Sequence, residues 1–177
     1  MTTLSAPVTD DTGATAEPNG SAATLRFRER VRTRVGLAEL LVFRAGGERF
    51  AFDVRALDQV LDAPDVDALP RDEPTMVGLT MHHARPIPVF DTSRLLGMSA
   101  TSGRTVLVMR SGHRRLGLLV DEVDDVTTID LSRLHPPPFD TGDDLLLGVA
   151  WSNGVLTAIL DARALITACQ PRGVMAP

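Results

Sequence analysis

Short apolar runs separated by turn-forming residues make up most of the chain after residue 38. The first two runs are residues 40–44 and 50–54, and the segment between them contains two adjacent glycines. Because glycine adopts the positive φ angles of tight turns, this pattern predicts a β-hairpin. A second hairpin is predicted over residues 106–120, with its turn at residues 111–114.

Two different blocks of residues recur in the same order along the chain. Equivalent residues lie 66 positions apart in the first block and 70 positions apart in the second, so the second copy carries a four-residue insertion. This repeated order predicts an internal duplication. The equivalent pairs are Arg44/Arg110, Gly46/Gly112, Phe50/Leu116, Val54/Val120 and Val60/Val126, then Gly78/Gly148, Val89/Ile159, Asp91/Asp161 and Leu95/Leu165.

Each repeat contains a hairpin, an acidic segment, and two further apolar segments that end in an aspartate and a leucine-rich turn. Residues 57–61 and 123–126 fit either a strand or a helical turn, and residues 161–169 predict a short C-terminal helix. Short strands between turn residues are typical of small barrels. We therefore expect a mainly all-β fold with two β-barrel lobes, roughly residues 37–97 and 104–170, that share one core.

The N-terminal part of the chain differs from this pattern. Residues 1–24 are rich in Thr, Ala, Ser, Asp, Pro and Gly and predict a disordered tail. Residues 25–36 form a basic arm with five arginines at alternate positions, in which Phe27, Val31 and Val35 lie four residues apart. The two spacings fit a strand and a helix equally. The arm either binds an acidic partner or an anionic lipid, or docks on the chain's own acidic domain.

The charge distribution argues against nucleic acid as a partner. The 177 residues contain 18 Lys+Arg and 23 Asp+Glu, which gives a formal net charge of −5. Residues 37–170 hold 12 arginines and 19 acids (12 − 19 = −7), residues 1–36 hold 5 and 4 (+1), and the C-terminal tail, residues 171–177, adds one arginine. A sequence-independent nucleic-acid binder needs a basic surface that neutralises phosphates.

Two further features of the sequence bear on the compartment. The single cysteine, Cys169, excludes an internal disulfide, which is typical of a reducing compartment. No apolar stretch approaches the about 18 residues that span a membrane, and residues 1–10 lack the pattern of a signal peptide. We therefore expect a cytoplasmic protein that does not insert into a membrane.

The residue types that carry chemistry do not form a catalytic or metal-binding pattern. His82 and His83 are adjacent, and in a strand they point to opposite faces, which prevents joint chelation of one ion. Cys169 is expected to be an incidental buried thiol. The acidic segment 121–125 lacks a calcium-loop pattern and predicts a solvated strand edge. We expect no metal, cofactor or catalytic residue, so a two-lobed interaction module is favoured over a small β-barrel enzyme.

The order and spacing of several motifs resemble the CheW-like family over about residues 38–168. The matching segments are residues 41–54, 60–70, 77–79, 87–97, 117–123, 147–149 and 159–161. The resemblance implies two five-stranded barrels similar to SH3 domains, in agreement with the predicted duplication.

The resemblance also implies a function. Members of the family are non-catalytic adaptors that couple the cytoplasmic hairpin of chemoreceptors to the regulatory domain of a CheA-type histidine kinase, in chemotaxis arrays under the inner membrane. Related domains occur in the kinase itself and in CheV proteins, but this chain has neither a kinase core nor room for a receiver. A stand-alone coupling protein is therefore expected, and a diverged adaptor of a non-motility pathway is the alternative.

One segment departs from the family pattern. Where the family has Gly-x-x-Asn-Leu-Arg-Gly, this chain has residues 78–84, with His83 at the arginine position and Ala84 at the second glycine. The family glutamate that pairs with this arginine corresponds to Gln59. Both members of the pair are thus neutral or nearly so, and we expect Gln59 to hydrogen-bond His83. The change reflects either altered partner specificity or neutral drift.

The expected partner-contact residues surround this departure, beside the groove between the lobes. They are Gln59, Leu61, Leu79, Met81, His82, His83 and Arg85. For Leu61, Leu79 and Met81, a place in the core is an equally good interpretation. Asp91 and Asp161, which are equivalent in the two repeats, are expected to cap turns rather than contact a partner.

Overall fold

The structure, a computed structural model, describes residues 36–69, 73–137 and 144–169. The predicted disordered tail, most of the basic arm and the C-terminal tail lie outside these residues. No helix in the described ranges is long and apolar enough to cross a membrane.

The described residues form ten strands in two mixed five-stranded sheets, each with one parallel strand pair among antiparallel ones. The first sheet contains β1 (Leu37–Ala45), β2 (Glu48–Asp53), β8 (Glu122–Asp130), β9 (Leu146–Ser152) and β10 (Val155–Leu160). The second contains β3 (Leu57–Asp62), β4 (Met76–His82), β5 (Arg85–Asp91), β6 (Thr105–Ser111) and β7 (Arg114–Val120). Helices α1 (Thr92–Leu95) and α2 (Ala162–Ala168) follow β5 and β10.

The strand orders of the two sheets are related by the predicted duplication. The first sheet has the order β8-β1-β2-β10-β9 and the second β3-β6-β7-β5-β4. Exchanging each strand for its equivalent in the other repeat converts one order into the other. The same holds for register: Ile159 pairs with Ala51 in the first sheet, and Val89 pairs with Gly117 in the second. The mainly all-β fold with two duplicated five-stranded units is therefore confirmed.

The expectation that each lobe is a continuous half of the chain, residues 37–97 or 104–170, is wrong. Each sheet takes a hairpin from one repeat and three strands from the other. The cause is the 3-10 turn Val54–Ala56, which carries the chain from the end of β2 into β3 of the other sheet. The β1–β2 hairpin then pairs with β8 and β10 instead of with strands of its own repeat.

A shared core joins the two sheets. Phe43 and Phe52 are fully buried and their ring centroids lie 5.5 Å apart. They belong to one cluster with Leu107 and Leu118 of the second sheet and with Leu165 of α2. Since the hairpin strands alternate their side chains, β1 buries its other face in a smaller cluster within the first sheet. The predicted common core is confirmed.

The local elements follow the sequence closely. Residues 57–61 and 123–126, which fitted two conformations, belong to strands β3 and β8. Asp91 caps α1, because its carboxylate accepts a hydrogen bond from the Arg94 backbone N–H. Asp161 caps the predicted C-terminal helix in the same way and accepts from the backbone of Arg163 and Ala164. Both predicted caps are confirmed.

Replacing Phe52 with alanine tests the shared core. The substitution removes a fully buried ring that contacts both sheets, so we expect the free energy of unfolding to fall by about 3–5 kcal/mol in a single transition. Urea unfolding followed by circular dichroism measures the change. Leu156→Ala, at an exposed position of β10, is the control and should stay within about 0.5 kcal/mol of the parent. A loss below about 1 kcal/mol for Phe52→Ala would contradict the shared core.

Candidate partner-binding site

The candidate site lies where the second sheet closes on itself. Strands β3 and β4 are the two edges of that sheet, and a hydrogen bond joins them between Gln59 Oε1 and His82 Nε2, 2.9 Å apart. We call this line of contact, formed by Gln59, His82 and the adjoining residues of the two strands, the β3–β4 seam. Side chains rather than a ladder of backbone bonds close the barrel here.

The connection between β3 and β4 covers the free edge of β4 beside the seam. The backbones of Asp67 and Leu79 exchange two hydrogen bonds of 2.8 and 2.9 Å, and the Thr80 hydroxyl donates to the Asp65 carbonyl. A Cβ atom on Gly78 would lie only 2.2 Å from the Asp67 carbonyl oxygen. Glycine is therefore required at this position for the connection to approach the strand.

His82 is the buried member of the seam, with 3% of its surface exposed. Its Nε2 faces the Gln59 carbonyl oxygen and so carries the proton, while its Nδ1 is buried without a hydrogen-bond partner among the described residues. Burial is the main cause that lowers the pKa of His82, and His83 and Arg115 lower it further, whereas Asp58 opposes them. The imidazole is therefore neutral at pH 7.

Two expectations about the histidines are wrong. Gln59 bonds His82 and not His83, and the two imidazoles do not point to opposite faces but meet edge to face with centroids 4.1 Å apart. The reason is that β4 ends at His82. His83 already belongs to the turn, with φ of +48°, so strand alternation does not apply to it.

The turn after β4 holds two residues in the left-handed region. His83 has φ of +48° and Ala84 has φ of +58°. The equivalent turn between β9 and β10 has Asn153 at +51° and Gly154 at +76°, the residue types that adopt this conformation readily. The β4–β5 turn thus carries backbone strain that its duplicate lacks.

The structure brings only some of the predicted contact residues together, and they differ in exposure. Met81, His82, His83 and Arg85 lie at the β4–β5 turn and Gln59 bonds His82, whereas Leu61 lies towards the opposite end of the sheet. Met81 is 61% exposed, and Gln59, His83 and Arg85 are exposed as well. Leu61 and Leu79 are half-buried, and Leu79 lies on the same outward face of β4 as Met81. His82 is buried. Four of the seven predicted contact residues are therefore exposed in the structure.

Sequence reasoning missed an ion-pair cluster beside the seam. Asp58 accepts a 2.7 Å hydrogen bond from Arg115, which lowers the pKa of the carboxyl group, and lies 3.8 Å from Arg110. Asp124, 66 residues later, lies 3.5 Å from Arg44 and 3.3 Å from Arg49 in the same arrangement. The Arg44/Arg110 pair of the repeat was the available signal.

The acidic segment 121–125 is engaged with neighbouring groups. Glu122 and Asp124 pair with Arg44, and Asp121 bonds the Thr101 hydroxyl and the Gly47 backbone N–H. Within the described ranges, no group of three or more potential ligands is placed to hold a metal ion.

Comparisons with known proteins agree on one family. The model of the CheW-like domain matches residues 39–170. The chain is 26% identical over 111 residues to the probable chemotaxis protein CheW of Rhizobium etli, over 61% of this chain and 72% of that protein. It is 30% identical over 143 residues to protein FrzA of Myxococcus xanthus, over 77% and 89% of the two chains.

A solved structure shows the same fold. The crystal structure of the scaffolding protein TtCheW from Thermoanaerobacter tengcongensis matches this one with a TM-score of 0.64 at 21% sequence identity. The match covers 71% of this chain and 90% of that chain.

Replacing Ala84 with glycine tests the strain in the β4–β5 turn. Glycine removes the penalty of the left-handed conformation but adds entropy to the unfolded chain, so we expect a net stabilisation of about 0.5–1 kcal/mol. Urea unfolding of the variant and the parent measures it. The matched control is Gly154→Ala in the equivalent turn, which should destabilise by a similar amount. An Ala84→Gly variant less stable than the parent would refute the strain.

The buried neutral His82 predicts a pH dependence of stability. Because its pKa in the folded state lies below that in the unfolded chain, the unfolded state binds more protons in acid. Its contribution is complete above about pH 6.5 and is lost as the pH falls through the folded-state pKa. We expect urea unfolding to show a smaller loss of stability between about pH 7.5 and about pH 5.5 for His82→Leu than for the parent. Equal losses would contradict this assignment.

Proposed function

The chain belongs to the CheW-like family, and on this basis we propose that it is a non-catalytic adaptor that couples chemoreceptors to a CheA-type histidine kinase. The family match over residues 39–170 carries the proposal. The protein would act in the cytoplasm at receptor arrays, with the kinase regulatory domain and the receptor's cytoplasmic hairpin as partners and nucleic acid as none.

We assign partner contact to the exposed end of the second sheet. Met81 offers an unusually exposed apolar side chain. The exposed Arg85, which pairs with His82 across the hairpin, offers a cation, and Gln59, which bonds His82, offers a hydrogen-bonding amide. Such a surface suits a partner segment with apolar side chains flanked by carboxylates or carbonyl oxygens. Leu79 extends this surface along the outward face of β4. His82 and His83 fix the position of the turn that presents Met81 and Arg85.

The seam also supports a second candidate, a diverged adaptor of a non-motility pathway. The family pattern implies a charged glutamate–arginine pair at positions 59 and 83. In this chain a neutral Gln59 bonds a neutral His82 instead. His83 is left exposed in a strained turn. A contact surface without that charged pair would present different groups to a receptor or a kinase, so its specificity would differ.

Calorimetric titration of the full chain with the regulatory domain of a CheA-type kinase, and separately with a soluble receptor hairpin, tests the adaptor function. We expect a Kd of about a micromolar or tighter, about −8 kcal/mol, for at least one of them. Met81→Asp should weaken that binding by tenfold or more, about 1.4 kcal/mol. Val126→Asp, at an exposed position of the first sheet, is the matched control and should bind like the parent.

Two results would count against the proposal. No binding to either partner would favour the non-motility adaptor. Binding that Met81→Asp and Val126→Asp weaken equally would remove the proposed contact surface but keep the adaptor. The double variant Gln59→Glu with His83→Arg addresses specificity, because unchanged affinity for both partners would show that the neutral pair does not set it.

A further inference from the structure

A groove of about 850 Å³ opens between the first sheet, helix α2 and Arg110 of the second sheet. Its apolar lining comes from Leu40 of β1, Leu147 of β9, Ile159 of β10 and Ile166 of α2. The volume falls in the range of sites that take several side chains of a ligand or peptide. Charged residues of both signs also line the groove: Asp53, which is paired with Arg55, Asp161, which caps α2, and the arginines Arg55, Arg110 and Arg163.

The described chain begins at the mouth of this groove. Leu37, the first residue of β1, lines the groove and is 77% exposed. The Gly36 carbonyl accepts a 3.0 Å hydrogen bond from the backbone N–H of Leu131, another lining residue. Gly36 has φ of +107°, a conformation that lets the preceding chain turn sharply at this point. Residue 36, at which the basic arm joins the domain, therefore lies beside the groove.

The basic arm carries apolar side chains and a charge opposite in sign to that of the domain as a whole. Phe27, Val31 and Val35 supply three apolar side chains four residues apart, and five arginines against one glutamate give residues 25–36 a charge of +4 (5 − 1). The domain that follows, residues 37–170, carries −7. Attraction between the arm and its own domain is thus favourable at long range.

We propose that the basic arm docks in this groove, with Phe27 and Val31 packed on the apolar lining and its arginines towards the acidic surface of the domain. The arm is long enough, since 11 residues span about 16 Å as a helix and up to about 36 Å when extended. Attachment at the groove mouth makes docking intramolecular, which raises the effective concentration to the millimolar range for a short tether. A free segment of another protein lacks this advantage.

Isoleucine methyl NMR on the full chain tests the docking. The chain has four isoleucines, of which Ile159 and Ile166 line the groove and Ile87 lies in β5 of the second sheet. We expect Phe27→Ser combined with Val31→Ser to shift the δ1-methyl signals of Ile159 and Ile166, because the ring of Phe27 leaves them. The Ile87 signal should stay in place. Leu4→Ser combined with Val8→Ser, in the predicted tail, is the matched control and should move none of these signals.

A spin label provides a second measurement without removing the apolar residues of the arm. Burial raises the pKa of the Cys169 thiol to about 12, so labelling is directed to an introduced cysteine. A label on Arg28→Cys should broaden Ile159 and Ile166 more than Ile87, whereas a label on Val8→Cys should not. The proposal would be overturned if the Ile159 and Ile166 methyl signals did not shift in the double serine variant and both labels broadened them equally. The groove would then be open to another protein.

Discussion

The packing of the β1–β2 hairpin between strands of the other repeat is the constraint on which the rest of the structure depends. Phe43 and Phe52 of this hairpin are fully buried against Leu107 and Leu118 of the second sheet. Burial on both faces of β1 makes the hairpin part of two cores at once. Neither sheet can therefore fold as an independent half of the chain, because each lacks a hairpin without the other repeat.

This exchange also decides where the candidate site forms. With the hairpins in the middle of each sheet, the edges are β3 and β4 in the second sheet and β8 and β9 in the first. Each pair of edges meets through side chains, namely Gln59 with His82 in one sheet and Thr127 with Ser152 at 3.5 Å in the other. A backbone ladder does not depend on side-chain identity, so the polar residues at these edges have a direct part in closing each sheet.

The duplicated halves keep their structural groups and differ in their exposed ones. The Asp58 and Asp124 ion-pair clusters are equivalent and hold β3 and β8 to their neighbouring hairpins. By contrast, Met81 of one hairpin corresponds to the 66%-exposed Trp151 of the other. Surfaces that differ between two equivalent sheets would allow one small protein to distinguish two partners, as the proposed adaptor requires.

The sequence by itself determined the strands, the duplication, the two aspartate caps and the family, because each of these depends on local periodicity, turn residues or fixed spacing. It also placed most of the candidate site on one hairpin. Only the tertiary structure decided which strands pair, since parallel pairs such as β2 with β10 leave no local signal. Only the tertiary structure also showed that Gln59 bonds His82 and not His83. Strand β4 ends at His82, and a one-residue difference at the end of a strand changes which side chain faces inward.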